Sequence, residues 1–256
     1  MTEYSLEQNS PNNTEELATH FLSNLISFNY EGRKLKIASE NKLIDNSDNQ
    51  LGSGRFSRRR KQELEPFNIY PLDVVAATFL CCNPIIQQDL VQRLWGCKLA
   101  IPLVIQEGEH KSPKFFLWAM RSLVMKWKAL QGEVIKSEER GIANYPIETV
   151  SFIRFDKSDF SKSSLLNWVI SENEPDKSHP IFFHRNSEGS TKNRQLADGM
   201  VEIGWYLPNG VQKDIFQDIV SFTNLRGDAR RYPIQLELIK QISAKVIILT
   251  SAKELK

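Results

Sequence analysis

TVSFIRFDKSDFSKSSLLN, residues 149–167, is the stretch whose reading decides the fold. Its first half is apolar and rich in strand-forming residues, its middle is a polar turn, and its end starts a helix with Leu165 and Leu166 facing inward. Loops that hold phosphate lie between a strand and a helix and read Gly, four arbitrary residues, Gly, Lys, then Ser or Thr. Here Lys162 and Ser163 stand in the lysine and hydroxyl places, while Asp156 and Ser161 replace the two glycines. The backbone argument favours an anion site, because a strand-to-helix turn aims several N–H groups and a positive helix end at one spot. Aspartate also tolerates the left-handed conformation that a glycine turn demands. Against this, Ser161 carries a Cβ where backbone normally approaches phosphate. Asp156 and Asp159 bring negative charge, and at ~5 Å with an effective dielectric near ~20 each full charge pair repels by roughly 3 kcal/mol. The competing reading is a plain helix start, since serine caps helices without any ligand.

Downstream, the pattern predicts two strands, a helix and a further strand. MVEIGWYLP alternates, with Val201, Ile203, Trp205 and Leu207 on one side. DIVSFTNL follows a loop containing Pro208-Asn209-Gly210, which suits a strand-to-strand connection. PIQLELIKQIS reads as a helix with Pro233 in its first turn. KVIILTS is a continuous apolar run, expected of a parallel strand covered on both faces. Such alternation predicts an α/β sheet with crossover helices.

Upstream, residues 1–12 are expected to be disordered, and a helix is expected from Asn13, where Glu16 completes a capping box. Leu17, Phe21, Leu22, Leu25 and Ile26 recur at helical spacing. Residues 31–65 turn polar and read as a disordered linker. Within it, GRFSRRRKQ groups Arg55, Arg58, Arg59, Arg60 and Lys61, a pattern shared by nuclear-import addresses, phosphate patches and ordinary solvated loops. From 66 to 147 the chain is expected to form a helical module. LDVVAATFLCC and IIQQDLVQRLWGC are two helices split at Asn83-Pro84. LAIPLVI is broken by Pro102 and predicts at most an irregular strand. FFLWAMRSLVMKWKAL is read as a third helix with Phe116, Met120, Leu123 and Trp127 on one face, and the charged residues 131–147 as a connector. His110 sits among charged residues of an expected loop.

Composition narrows the function classes. A 256-residue chain with 41% apolar and 25% charged residues is an ordinary globular protein, and a net charge of +2 is too balanced to draw nucleic acid or membrane by bulk attraction. Cys81, Cys82 and Cys97 are an odd set with two adjacent members, which fits reduced thiols rather than a disulfide framework, and the four histidines show no zinc spacing with them. No apolar run reaches the ~18 residues of a membrane helix, and the polar, acidic start is no secretory signal. A cytoplasmic location is expected, with the nucleus left open.

Several separated blocks carry a family likeness. PLDVVAATFLCC, QQDLV, LAIPLVI, FFLWAMRSLVMKWK, VSFIRF…FSKSSLLN, FFHR, LADGMVEIGWYLP and FTNLRGD resemble, in that order, the very large interferon-inducible GTPases, in particular the up-regulator of cell proliferation branch. The likeness spans about residues 66–256. It implies a helical module at 66–147 followed, over 148–256, by the N-terminal part of a G domain, an incomplete P-loop GTPase-like (Ras-like) mixed sheet. It implies GTP or GDP with Mg2+ as ligand. Asp156, Asp159, Phe160, Ser161, Lys162, Ser163 and Ser164 would form the phosphate loop, with Lys162 on the phosphates and Ser163 on Mg2+. Asn224 and Gly227 would form the second phosphate-sensing element, where Asn224 departs from the family's aspartate. The Asn/Thr-Lys-x-Asp element that selects guanine has no counterpart in TSAKELK, so the simplest reading is a partial chain. KVIIL would then be an apolar edge prone to self-association. Two functions follow as expectations: a guanine-nucleotide-binding segment with poor or absent hydrolysis, or a pseudo-GTPase scaffold that works through protein partners without nucleotide.

Overall fold

The deciding stretch forms a strand, a turn and a helix. Strand β5 (Glu148–Arg154) buries Ser151, Phe152 and Ile153, and helix α5 (Lys162–Ile170) buries Leu166 and Ile170 beside it. The computed structural model describes residues 11–35, 37, 69–108, 111–156, 160–171 and 180–251. On one side β5 pairs in parallel with β7 (Val220–Leu225), and on the other with β8 (Lys245–Leu249). Strand β6 (Val201–Tyr206) runs antiparallel to β7, and β1 (Ile101–Ile105) antiparallel to β6, with the short β2 (Lys114–Phe115) outside it. The mixed sheet therefore has the order β2-β1-β6-β7-β5-β8. Between β7 and β8 the chain crosses over through α6 (Pro233–Ile242), the helix predicted from its leading proline. Paired hydroxyls, Ser151 with Thr223 and Thr149 with Ser221, fix the β5–β7 register from within the sheet.

The N-terminal helices fall where caps and prolines place them. Helix α1 spans Glu16–Ile26; the Asn13 side chain accepts from the Glu15 and Glu16 N–H groups, while the Glu16 carboxylate reaches back to the Asn12 N–H. Helix α2 (Pro71–Cys81) gives way to α3 (Pro84–Gly96) at Asn83, whose side chain accepts from the N–H groups of Ile85 and Ile86. These helices bury Phe21, Leu25, Phe79 and Leu94 in one continuous core with Ile101 of β1, Val201 of β6 and Leu225 of β7. Trp95 of α3 meets Trp205 of β6 edge to face at 5.3 Å.

Three expectations are corrected. The predicted third helix is a single turn, α4 (Leu117–Met120), followed by β3 (Val124–Gln131). Met125, Trp127 and Ala129 are buried while Val124, Lys126 and Lys128 are exposed, so the residues obey a period of two and the helical reading of Trp127 fails. The supposed connector supplies β4 (Val134–Gly141), which closes a hairpin with β3 across Gly132, at φ +65°. That connector strand is the second correction, whereas the Pro102 stretch is the irregular strand expected: β1 is fully buried, and its register with β6 shifts between Pro102 and Val104. Third, β8 is not covered on both faces: Ile247 and Ile248 are 40% and 51% exposed, and β8 ends the strand order among the described residues.

Residues 31–35 also depart from the linker reading. Tyr30–Arg33 form a 3-10 turn, and the buried Arg33 guanidinium donates to the carbonyls of Pro180 and Ile181. The basic run Arg55–Lys61, His110 and residues 1–10 of the start expected to be disordered over 1–12 lie outside the described residues, while Pro11 is buried and the Asn12 N–H donates to Glu16. Among the described residues no helix is long and apolar enough to cross a membrane.

Candidate functional site

Beyond β5 the chain turns where the motif wants its first glycine. Asp156 adopts φ +60°, in the left-handed region, and its N–H donates to Asp228 Oδ2 at 3.1 Å. Asp159 lies outside the described residues, and Phe160 is largely exposed. Ser161 needs no glycine conformation, with φ −81° and ψ 109°; it is the N-cap of α5, and its Oγ accepts from the Ser164 N–H at 3.3 Å. The first turn of α5 thus carries its own cap, as the plain-helix reading requires, and yet it faces the β7 end as the anion reading requires.

Lys162 is buried, and its Nζ donates to the Leu225 carbonyl. Ser163 Oγ accepts from Asn224 Nδ2 at 3.1 Å, and the same Nδ2 donates to Glu202 Oε2 at 3.1 Å. A carboxylate only accepts, so the Asn224 amide must present nitrogen to Glu202 and direct its oxygen elsewhere. That oxygen, Asn224 Oδ1, is buried and has no hydrogen-bond partner among the described residues. Glu202 is held in turn by Arg226, with Nε and Nη2 both 2.7 Å from Oε2, and Arg226 donates further to the Tyr70 hydroxyl and the Phe183 carbonyl. Gly227, at φ +82°, then turns the chain beneath Tyr232, whose ring leaves little space for a Cβ.

Lys162, Ser163, Asn224 and Gly227 thereby come together at one cavity of about 140 Å3, with Ser161 on its wall. Four arginines complete the lining: Arg154, Arg185, Arg194 and Arg226. Sequence reasoning missed all four and Glu202. Arg154 ends the strand, Arg185 follows Phe182-Phe183-His184, and Arg194 precedes β6 by a loop, so no spacing rule links them; only pairing of β5, β6 and β7 does. Arg226 and Arg194 have acidic partners, Glu202 and, at 3.3 Å, Asp198. The Nε atoms of Arg154 and Arg194 are buried without a hydrogen-bond partner among the described residues.

The electrostatic consequence is a site short of negative charge. Burial first, then Arg226 and Arg154, push the Lys162 ammonium well below its ordinary pKa. Burial, then Arg194, lowers that of Arg154. Burial also works against Arg226, but the Glu202 carboxylate outweighs it and holds that guanidinium above its ordinary value. An anion in the cavity relieves the crowding of Lys162 and Arg154 together.

Mg2+ fits this donor set poorly. Its usual sites combine one or two carboxylates with phosphate oxygens and water. Here Ser163 Oγ and Asn224 Oδ1 are neutral, no acidic residue is among the described lining, and Glu202 is engaged by Arg226. Nearby Asp198 is paired with Arg194, and Asp228 with Arg230. At ~5 Å and an effective dielectric of ~20, a divalent cation and one guanidinium repel by roughly 7 kcal/mol. Among the described residues no group of three or more His, Cys, Asp or Glu side chains is placed to hold a metal ion.

Similarity to known proteins agrees with the sequence blocks. Interferon-induced very large GTPase 1 of Homo sapiens is 30% identical over 271 residues, covering 98% of this chain and 11% of the relative. Up-regulator of cell proliferation of Homo sapiens is 36% identical over 200 residues, covering 73% of this chain and 20% of the relative. Caspase recruitment domain-containing protein 6 of Homo sapiens is 28% identical over 245 residues, covering 94% and 23%. The chain spans less than a quarter of the length of each of these relatives. No solved structure matches the chain. The up-regulator of cell proliferation-like domain matches residues 69–256, and with most of its length so matched the chain belongs to the up-regulator of cell proliferation-like family.

Proposed function

We propose that the cavity at the head of α5 binds the phosphates of a guanine nucleotide, and that residues 148–251 are the corresponding half of a P-loop GTPase-like sheet. The observation that carries this reading is the convergence of Lys162, Ser163 and Gly227 with four arginines on one polar cavity. The strand order supports it. β5 lies between two parallel neighbours, β7 and β8, and the cavity opens at their carboxyl ends beside a helix N-terminus, where α/β sheets place their ligands. Guanine is the base that fits the relationship to a GTPase, interferon-induced very large GTPase 1. Hydrolysis is slow or absent in this reading, because Asn224 offers an amide where a carboxylate would carry charge, and its nitrogen is already committed to Ser163 and Glu202.

A fluorescent GTP analogue titrated into the chain and into Lys162→Ala tests it. Saturable micromolar binding that the variant loses supports the nucleotide reading, and binding unchanged in the variant removes Lys162 from the site. No binding by either protein favours a second reading, a scaffold acting through protein contacts. That reading has its own support in the exposed apolar edge of β8, with Ile247 and Ile248.

A further inference from the structure

The arginine-lined cavity carries one step more, which rests on the nucleotide reading above. We propose that this site holds the phosphate groups without a divalent cation, Arg154, Arg185 and Arg194 supplying the positive charge that Mg2+ supplies in metal-dependent phosphate loops. Three observations converge. The described lining contains five cationic side chains and no carboxylate. The hydroxyl that would meet the metal, Ser163 Oγ, is already an acceptor for Asn224 Nδ2. Lastly, an amide occupies position 224, and its nitrogen bridges Ser163 to Glu202, whose charge Arg226 takes up.

The geometry suits phosphate oxygens directly. Arg154 and Arg194 each keep a buried Nε–H without a hydrogen-bond partner among the described residues, and guanidinium forks match phosphate geometry. Arg194 also lies over the Tyr70 ring, its guanidinium carbon 4.8 Å from the centroid, which fixes the fork while Asp198 takes its Nη1. The buried acceptor Asn224 Oδ1 is left for a water or for a protonated phosphate oxygen, either of which donates to it.

The decisive measurement is the affinity for fluorescent GTP and GDP analogues in excess EDTA and in excess Mg2+, on the intact chain. Equal affinity within about threefold in the two media is expected, with Arg154→Gln and Arg194→Gln each weakening binding about tenfold in EDTA, the loss of one charged phosphate contact. Thermal melts of both variants separate lost binding from lost folding, and inorganic tripolyphosphate should compete in EDTA. Asn224→Asp, which restores a carboxylate beside Ser163, is expected to make binding respond to Mg2+. Binding seen only with Mg2+ overturns the metal-free proposal and leaves the nucleotide reading intact. Absence of binding in both media overturns the two together.

Discussion

Replacing Arg226 by methionine, alone and together with Glu202→Gln, probes the bond that joins the helical layer to the site. In the parent, the two side chains are buried at 5% and 1% exposure and meet at 2.7 Å. At that distance and an effective dielectric of ~20 they attract by roughly 6 kcal/mol, which desolvation of two ions largely cancels. Arg226→Met removes the attraction and leaves the desolvated carboxylate, with Asn224 Nδ2 as its remaining described donor. It also strips a donor from the Tyr70 hydroxyl and the Phe183 carbonyl. Breaking one partner of a buried pair costs about 3–5 kcal/mol. For a chain of this size each kcal/mol moves Tm by ~2–4 °C, so a fall of roughly 6–20 °C is expected at neutral pH. Glu202→Gln in the same chain removes the orphan charge yet keeps an oxygen for Asn224, and should recover more than half of the loss. Melting curves followed by circular dichroism read all three. An Arg226→Met Tm within ~2 °C of the parent, or a double variant no better than the single, refutes the reasoning.

Three further outcomes follow from the site and its anchors. The folded Lys162 titrates well below the 10.5 of an ordinary lysine, so the unfolded chain binds more protons between those values and stability rises with pH through that window; Lys162→Met should flatten the rise in urea melts taken across alkaline pH. Bound phosphate raises the same pKa, so binding should take up protons and weaken as pH rises through the interval, visible as calorimetric heats that change with the ionisation enthalpy of the buffer. The Asp73 carboxylate of α2 accepts from the backbone N–H groups of Gln195, Leu196 and Ala197, so Asp73→Asn should loosen the loop just after Arg194, weakening phosphate-analogue binding about tenfold while lowering Tm by several degrees, whereas an unchanged affinity would show that the loop holds its place without the carboxylate.

The sequence was most legible where one residue acts on its immediate neighbours. Asn83-Pro84 divides α2 from α3 because an amide cap and a proline act within one turn. The Asp156 turn was legible for the same reason: few residues accept φ +60°, and aspartate is one. The reading failed where period was ambiguous. Residues 116–130 satisfy a helical stripe through Phe116, Met120, Leu123 and Trp127, and a strand alternation through Met125, Trp127 and Ala129. Only pairing with β4, itself too charged to look like a strand, decides between them. The arginines escaped for a different reason. Each is a common surface residue in its own segment, and its meaning arises when β5, β6 and β7 bring their ends to one place.

That assembly depends on side chains far upstream. The Asp73 carboxylate of α2 accepts from three successive backbone N–H groups, those of Gln195, Leu196 and Ala197, at 2.7–2.9 Å, and so anchors the loop just after Arg194. Tyr70, at the cap of α2, holds Arg226 through its hydroxyl and carries Arg194 on its ring. Arg33 ties the carbonyls of Pro180 and Ile181, at the start of the segment that leads to Arg185. Each loop that contributes an arginine from outside β5 is therefore fixed by a residue of the first third of the chain. A site built only from the strand-turn-helix unit would hold Lys162, Ser163 and Arg154 and lack the other three arginines. The N-terminal helices act as part of the binding apparatus: Glu202 of β6 and Asp198 offset the charge of Arg226 and Arg194, and the polar anchors of the helices fix the loops on which the guanidiniums are carried.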